Sequence, residues 1–121
     1  MMKVGIDILD VDRINKLLKK NTHLQQIFSK NELNYFENKN NYLPTLAGIY
    51  CAKEAFLKAL SIGVRNGINF LEIEVDHDDA GRPIYKLSKH IKDILKSLKI
   101  VEVELSISHT DNFATAVCIM N

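Results

Sequence analysis

Residues 46–63, LAGIYCAKEAFLKALSIG, keep a helical period over a long stretch, and the rest of the chain has to be built around them. Placed at roughly 100° per residue, Leu46, Ile49, Phe56, Leu57 and Leu60 gather on one arc, which should face a core. Lys53 falls in the middle of that arc. The neighbouring arc carries Ala47, Cys51, Glu54 and Lys58, with Ser61 at its edge. One reading is that Lys53 snorkels past the apolar face while Glu54 and Lys58, spaced i,i+4, form a surface pair. The other is that a cation and a carboxylate are held at the lip of a core to meet something charged. A buried ammonium needs a partner. Another strand, another subunit or a ligand anion could supply it.

The segments around this helix divide into strands and short helices. Residues 3–9 alternate, with Val4, Ile6 and Ile8 on one face and Gly5, Asp7 and Leu9 on the other. Asp10 can cap a helix to about Lys20, with Val11, Ile14, Leu17 and Leu18 inward. Residues 24–28 hold a short apolar group. Ser29 then opens SKNE, a capping box that gives Glu32 a structural task. Residues 38–42 read as a loop; Pro44 and Thr45 lead into the long helix and Gly63 ends it. Residues 70–76 alternate as a strand, 78–83 turn on Gly81 and Pro83, and a strand returns over 84–87. Ser88 caps a helix to about Leu98, with Ile91, Ile94, Leu95 and Leu98 inward and its lysines solvated. The chain closes as a strand over 101–108, a turn over 109–112 and a strand over 113–120. The predicted class is α+β, a largely antiparallel sheet packed with a long helix.

The length of 121 residues predicts a single domain over 1–121. A net charge of +1 points away from bulk nucleic-acid binding. No apolar run approaches membrane-spanning length, and the first ten residues make a poor signal peptide. Cys51 and Cys118 read as two packed thiols in a reducing compartment, so a cytoplasmic location is expected.

Two further features could carry chemistry. Asp7 sits in an apolar strand, where an ionised carboxylate wants a cation or several N–H donors. Hydrogen bonding to a turn satisfies it; so does a hard cation. Mg²⁺ takes one or two carboxylates and completes its shell with water and phosphate oxygens, so Asp7 and Glu54 would suffice if the first strand packs beside the long helix. His23, His77, His90 and His109 are too scattered for zinc. In SISHTDNFATA (106–116), His109 and Thr110 stand at a turn, either solvated or placed to contact phosphate.

Taken together, GIDILDVDRI (5–14), FSKNE (28–32), LAGIYCAKEAFLKALSIG (46–63), DAGRP (79–83) and SISHTDNFATA (106–116) resemble the holo-acyl-carrier-protein synthases, the short 4′-phosphopantetheinyl transferases, over nearly the whole chain. The resemblance implies transfer of the phosphopantetheine arm of coenzyme A to a serine of apo acyl carrier protein, with Mg²⁺ held by Asp7 and Glu54. It implies that Asp7, Glu54 and Lys58 form the catalytic set. Lys53, Lys58 and Gly63 would meet the coenzyme, Lys53 and Lys58 at its phosphates. Arg82 and Pro83 would lie at the adenosine end, and His109 and Thr110 would close over the coenzyme from a neighbouring subunit of a homotrimer. Arg13 and Lys20, with Lys16 and Lys19, would dock the acidic carrier. Ile49 and Cys51 stand where the family commonly has arginine and alanine, and Ser61-Ile62 where it has glycine and threonine. The alternatives are a non-catalytic module that binds coenzyme A or a nucleotide, and a structural domain in which Lys53 pairs with Asp7.

Overall fold

A computed structural model of the chain describes residues 1–20, 24–37, 42–61 and 67–121. In chain order the elements are β1 (Lys3–Asp10), α1 (Val11–Lys20), α2 (Leu24–Ile27), α3 (Lys30–Glu37) and α4 (Tyr42–Leu60). A 3-10 turn (Phe70–Glu72) follows, then β2 (Ile73–His77), β3 (Pro83–Leu87), α5 (Lys89–Ser97), β4 (Val103–His109) and β5 (Phe113–Met120). The strands pair antiparallel as a three-stranded sheet in the order β1-β5-β4 and a hairpin of β2 with β3. The expected α+β class and antiparallel pairing are what the chain adopts.

α4 is the hub. It packs on β1, β5 and β4 along one side and on α1, α3 and β2 along others. It can approach the sheet closely because the facing side chains are small: Ala52, Ala55 and Ala59 on the helix, Ala114 and Ala116 on β5, all essentially without exposure. Gly5 sets the closest point. A Cβ there would lie 1.9 Å from the carbonyl oxygen of Ala55 and 2.5 Å from the amide nitrogen of Ala59, both backbone atoms that cannot rotate away. Gly5→Ala is expected to destabilise the fold by about 3 kcal/mol, the upper end for overpacking, read as a lower urea midpoint at unchanged m.

The inner face of β1 is therefore Gly5, Asp7 and Leu9, and Val4, Ile6 and Ile8 point outward, at 57%, 62% and 68% exposure. They align across the sheet with Ile119, Val117 and Thr115 of β5, giving an open apolar face.

Most boundaries match the periodicity, and the departures have local causes. The predicted strand over 70–76 begins as a 3-10 turn, because the Asn69 side chain accepts from the Leu71 amide at 2.8 Å and Glu72 Oε2 from the Asn69 amide at 3.0 Å. α4 begins at Tyr42, ahead of the predicted entry, with Pro44 inside the first turn, where a missing N–H loses nothing. Ser61 follows Leu60 at φ +57°, the left-handed position that usually ends a helix with glycine; the predicted terminator Gly63 and the loop residues 38–41 lie outside the described residues. Leu98, expected inward, is the α5 C-cap and is 40% exposed, while Ile91 and Leu95 are buried as predicted. The strand predicted from residue 101 starts at Val103, since the Val101 and Glu102 amides both donate to the Asn121 carbonyl. Asp10 does accept from the Asp12 amide, and the 78–83 turn closes on Asp78 Oδ1, which accepts from the Ala80 and Arg82 amides. Among the described residues no helix is long and apolar enough to cross a membrane.

Candidate active site

β1 runs beside α4, so two carboxylates 47 positions apart come together. Asp7 and Glu54 line one cleft of about 240 Å³, whose other wall is α1, with Arg13, Ile14 and Leu17. Tyr50, one helical turn before Glu54, closes the apolar side. One turn beyond Glu54, Lys58 reaches back over β1: its Nζ donates to the Ile6 carbonyl and to Asp7 Oδ1, both at 3.0 Å. The Lys58 side chain is half exposed and the Asp7 carboxylate mostly covered. An ion pair this wet contributes about 1 kcal/mol at most, so the ammonium can be drawn off by a stronger anion. The Asp7 backbone is itself tied down, its carbonyl accepting from Thr115 Oγ1 at 2.7 Å.

Cys51 lies beneath the two carboxylates, fully buried, its thiol donating to the Ala114 carbonyl at 3.5 Å. Burial, then the Asp7 charge, pushes this thiol up to about 12; burial takes Cys118 up to about 11. Both folded values stand above the ordinary thiol value of 9.0, so the folded state favours the protonated form. That contribution is whole below pH 9 and is lost as pH climbs through the folded values. Neither thiol is expected to react with a disulfide reagent at pH 8 in the native protein, and both react once it is unfolded.

The structure separates the other residues expected at the site. Lys53 is a correction. It is fully buried and faces away from the cleft, and its Nζ lies 2.9 Å from Glu32 Oε1, 2.9 Å from the Phe70 carbonyl and 2.9 Å from the Ile73 carbonyl. Its three donors are satisfied inside the protein, so it has neither the exposure nor the valence to take a coenzyme phosphate, and it does not pair with Asp7. Burial lowers the Lys53 pKa, and the Glu32 carboxylate opposes that shift. Glu32, also fully buried, accepts from the Ser29 amide at 2.8 Å as the predicted capping box requires, and from the Val75 amide at 2.8 Å.

Arg82 and Pro83 sit at the tip of the β2–β3 hairpin against a second depression of about 360 Å³ on the outer sheet face, where Arg82 pairs with Glu104. His109 and Thr110 border a third, of about 110 Å³, at the far end of β4. Thr110 Oγ1 accepts from the Asn112 and Phe113 amides and so holds that turn. Within one chain, then, neither pair joins the Asp7–Glu54 cleft. Arg13 does, whereas Lys20 is exposed at the other end of α1. Gly63 lies outside the described residues. Ile49, where the family commonly has arginine, is buried in the core at 2% exposure, so that change is one of packing.

Sequence reasoning missed Tyr50 as a wall of the cleft and Glu32 as the partner of Lys53. The sequence placed Lys53 on an inward arc and Glu32 in a capping box, but no spacing signal joined the two. Among the described residues no three acidic, histidine or cysteine side chains converge as a metal cage. Two carboxylates at the mouth of a cleft instead suit a hard cation that takes most of its oxygens from water and a phosphate ligand.

This fold is that of a known class. A profile of the 4′-phosphopantetheinyl transferase superfamily matches residues 3–118, and the chain belongs to that family. It is 40% identical over 114 residues to the holo-[acyl-carrier-protein] synthase of Alkaliphilus oremlandii, covering 93% of both chains. Its structure is similar to the crystal structure of the Helicobacter pylori holo-[acyl-carrier-protein] synthase in complex with coenzyme A, with a TM-score of 0.84 and 31% identity over 98% of this chain and 99% of that one. The Neisseria meningitidis synthase gives a TM-score of 0.88 and 30% identity, covering 98% and 97%.

Proposed function

We propose that the chain is a transferase that moves the 4′-phosphopantetheine arm of coenzyme A onto a serine of apo acyl carrier protein. The observation that carries this reading is the meeting of Asp7, Glu54 and Arg13 in one cleft, with Lys58 at its rim. The serine O–H bond breaks and its proton passes to water, the serine oxygen forms a bond to the β-phosphorus of the coenzyme, the bond from that phosphorus to the bridging oxygen breaks, and adenosine 3′,5′-bisphosphate leaves. Such a reaction asks a protein for positioning and charge neutralisation more than for covalent chemistry. Asp7 and Glu54 would hold Mg²⁺; when bound, the ion neutralises charge on the pyrophosphate oxygens. Lys58 exchanges its weak pair with Asp7 for a coenzyme phosphate. Arg13 shares its helix with Lys16, Lys19 and Lys20, and that basic face receives the acidic carrier, a charge match that speeds encounter and sets orientation.

The domain spans residues 1–121 and works in the cytoplasm, consistent with two cysteines kept as free thiols. Neither nucleic acid nor a membrane takes part. The open apolar face of β1 and β5 supports a homotrimer. It would cover Val4, Ile6 and Ile8, and bring Arg82, Pro83, His109 and Thr110 of one copy towards the Asp7–Glu54 cleft of the next. Ile6→Lys is expected to leave a folded monomer by light scattering, where the wild-type chain gives three times the chain mass, and to lose most transfer activity.

The direct test is intact-mass spectrometry of an apo acyl carrier protein incubated with this protein, coenzyme A and Mg²⁺, with a parallel EDTA sample. A gain of about 340 Da, one phosphopantetheine arm, that disappears with EDTA supports both the transfer and the metal. No gain with carriers of several pathways, from folded protein, returns the chain to a coenzyme A or nucleotide binding module.

A further inference from the structure

Glu32 and Lys53 are the fully buried charged side chains among the described residues, and neither reaches the cleft. Stability alone does not account for them. A buried ion pair replaced as a unit by neutral residues is often no worse for stability. What this pair has that an apolar pair lacks is direction. The Lys53 ammonium donates to the Phe70 and Ile73 carbonyls, at the start of the 3-10 turn and at the residue that caps it. The Phe70 ring stands edge-on to Tyr50, centroids 5.7 Å apart and planes at 76°. Tyr50 walls the cleft, and Glu54 is the residue next to Lys53 on α4. At its other end the anchor is rigid: Glu32 is held by the Ser29 amide just ahead of α3 and the Val75 amide on β2.

We propose that the Lys53–Glu32 pair positions the transfer site: it pins the 3-10 turn at Phe70, which seats the Tyr50 ring, and it fixes the rotation of α4 that presents Glu54 to Asp7. Lys53 and Glu32 are positioning residues and touch no substrate. The proposal rests on the reading of the cleft as the transfer site.

Two variants separate positioning from bulk stability. Lys53→Met/Glu32→Gln removes both charges together and strands neither. Phe70→Leu keeps the pair and removes the ring that relays it to Tyr50. The readouts are kcat, KM for coenzyme A and for the carrier, and the Tyr50 ring resonance in protein with isotope-labelled tyrosine, assigned with Tyr50→Phe. The double variant is expected to lower kcat about tenfold with KM for coenzyme A within about threefold, since small misplacements act on the reacting geometry. It also moves the Tyr50 resonance, and Phe70→Leu reproduces both effects to a smaller degree. A folded double variant with wild-type kcat and an unmoved Tyr50 resonance overturns the proposal. If the double variant does not fold, the same result in Phe70→Leu overturns it. If the wild-type protein transfers nothing, the transferase reading fails, and the Tyr50 resonance still decides whether the pair seats that ring.

Discussion

Lys53→Met is expected to lower the free energy of unfolding by about 3–5 kcal/mol, because it leaves the Glu32 carboxylate charged, buried and without its cation. Glu32 has no exposure through which water could compensate it. Its two backbone donors, the Ser29 and Val75 amides, remain, but they do not neutralise a whole charge. The Phe70 and Ile73 carbonyls lose their donor in the same step. Urea unfolding followed by circular dichroism measures this directly. Adding Glu32→Gln should restore part of the loss, since the stranded charge disappears while an amide oxygen still accepts. A phosphate-binding lysine would behave in the opposite way, with near-native stability and a raised KM for coenzyme A. That outcome would restore the ligand role the structure denies it.

Glu54→Gln and Asp7→Asn are expected to reduce transfer about 10³-fold, the rate equivalent of roughly 4 kcal/mol of lost charge stabilisation at the pyrophosphate. Neither should unfold the protein. Glu54 borders an open cleft, and the pair that Asp7 makes with Lys58 is half exposed on the lysine side, worth about 1 kcal/mol at most. Single-turnover conversion of the carrier, followed by intact mass, gives the rate, and thermal unfolding of the same samples gives the control. Transfer at the wild-type rate in folded Glu54→Gln would remove the carboxylate from the reaction.

Much of this could be read from residue order alone. The long helix, the SKNE cap, the 78–83 turn and the Ser88 cap are local features, set by periodicity and by side chains a few positions from the backbone groups they satisfy. The two cleft carboxylates were legible for a related reason. Asp7 is an acid between two isoleucines, Glu54 an acid on a helix whose period turns apolar residues inward, and both stand in motifs that resemble one family. Even the capping-box role of Glu32 was local enough to read.

What sequence reasoning could not decide was where long-range partners lie. Period and spacing placed Lys53 on an inward arc but said nothing of which residue, in which other element, would stand opposite. The answer, Glu32 on α3 with two carbonyls from the 3-10 turn and β2, depends on how three segments pack on α4. The strand alternation of residues 3–9 likewise left its two faces symmetric. The apolar set Val4, Ile6 and Ile8 turned outward because only the face with Gly5 admits the α4 backbone, and a helix-to-sheet distance is a tertiary quantity. The residues and their chemistry were determined by the sequence. Which charge is buried, which face is open and which side chains share a cleft were decided by packing, because a desolvated charge and a close backbone contact have energies only once the opposing surface is in place.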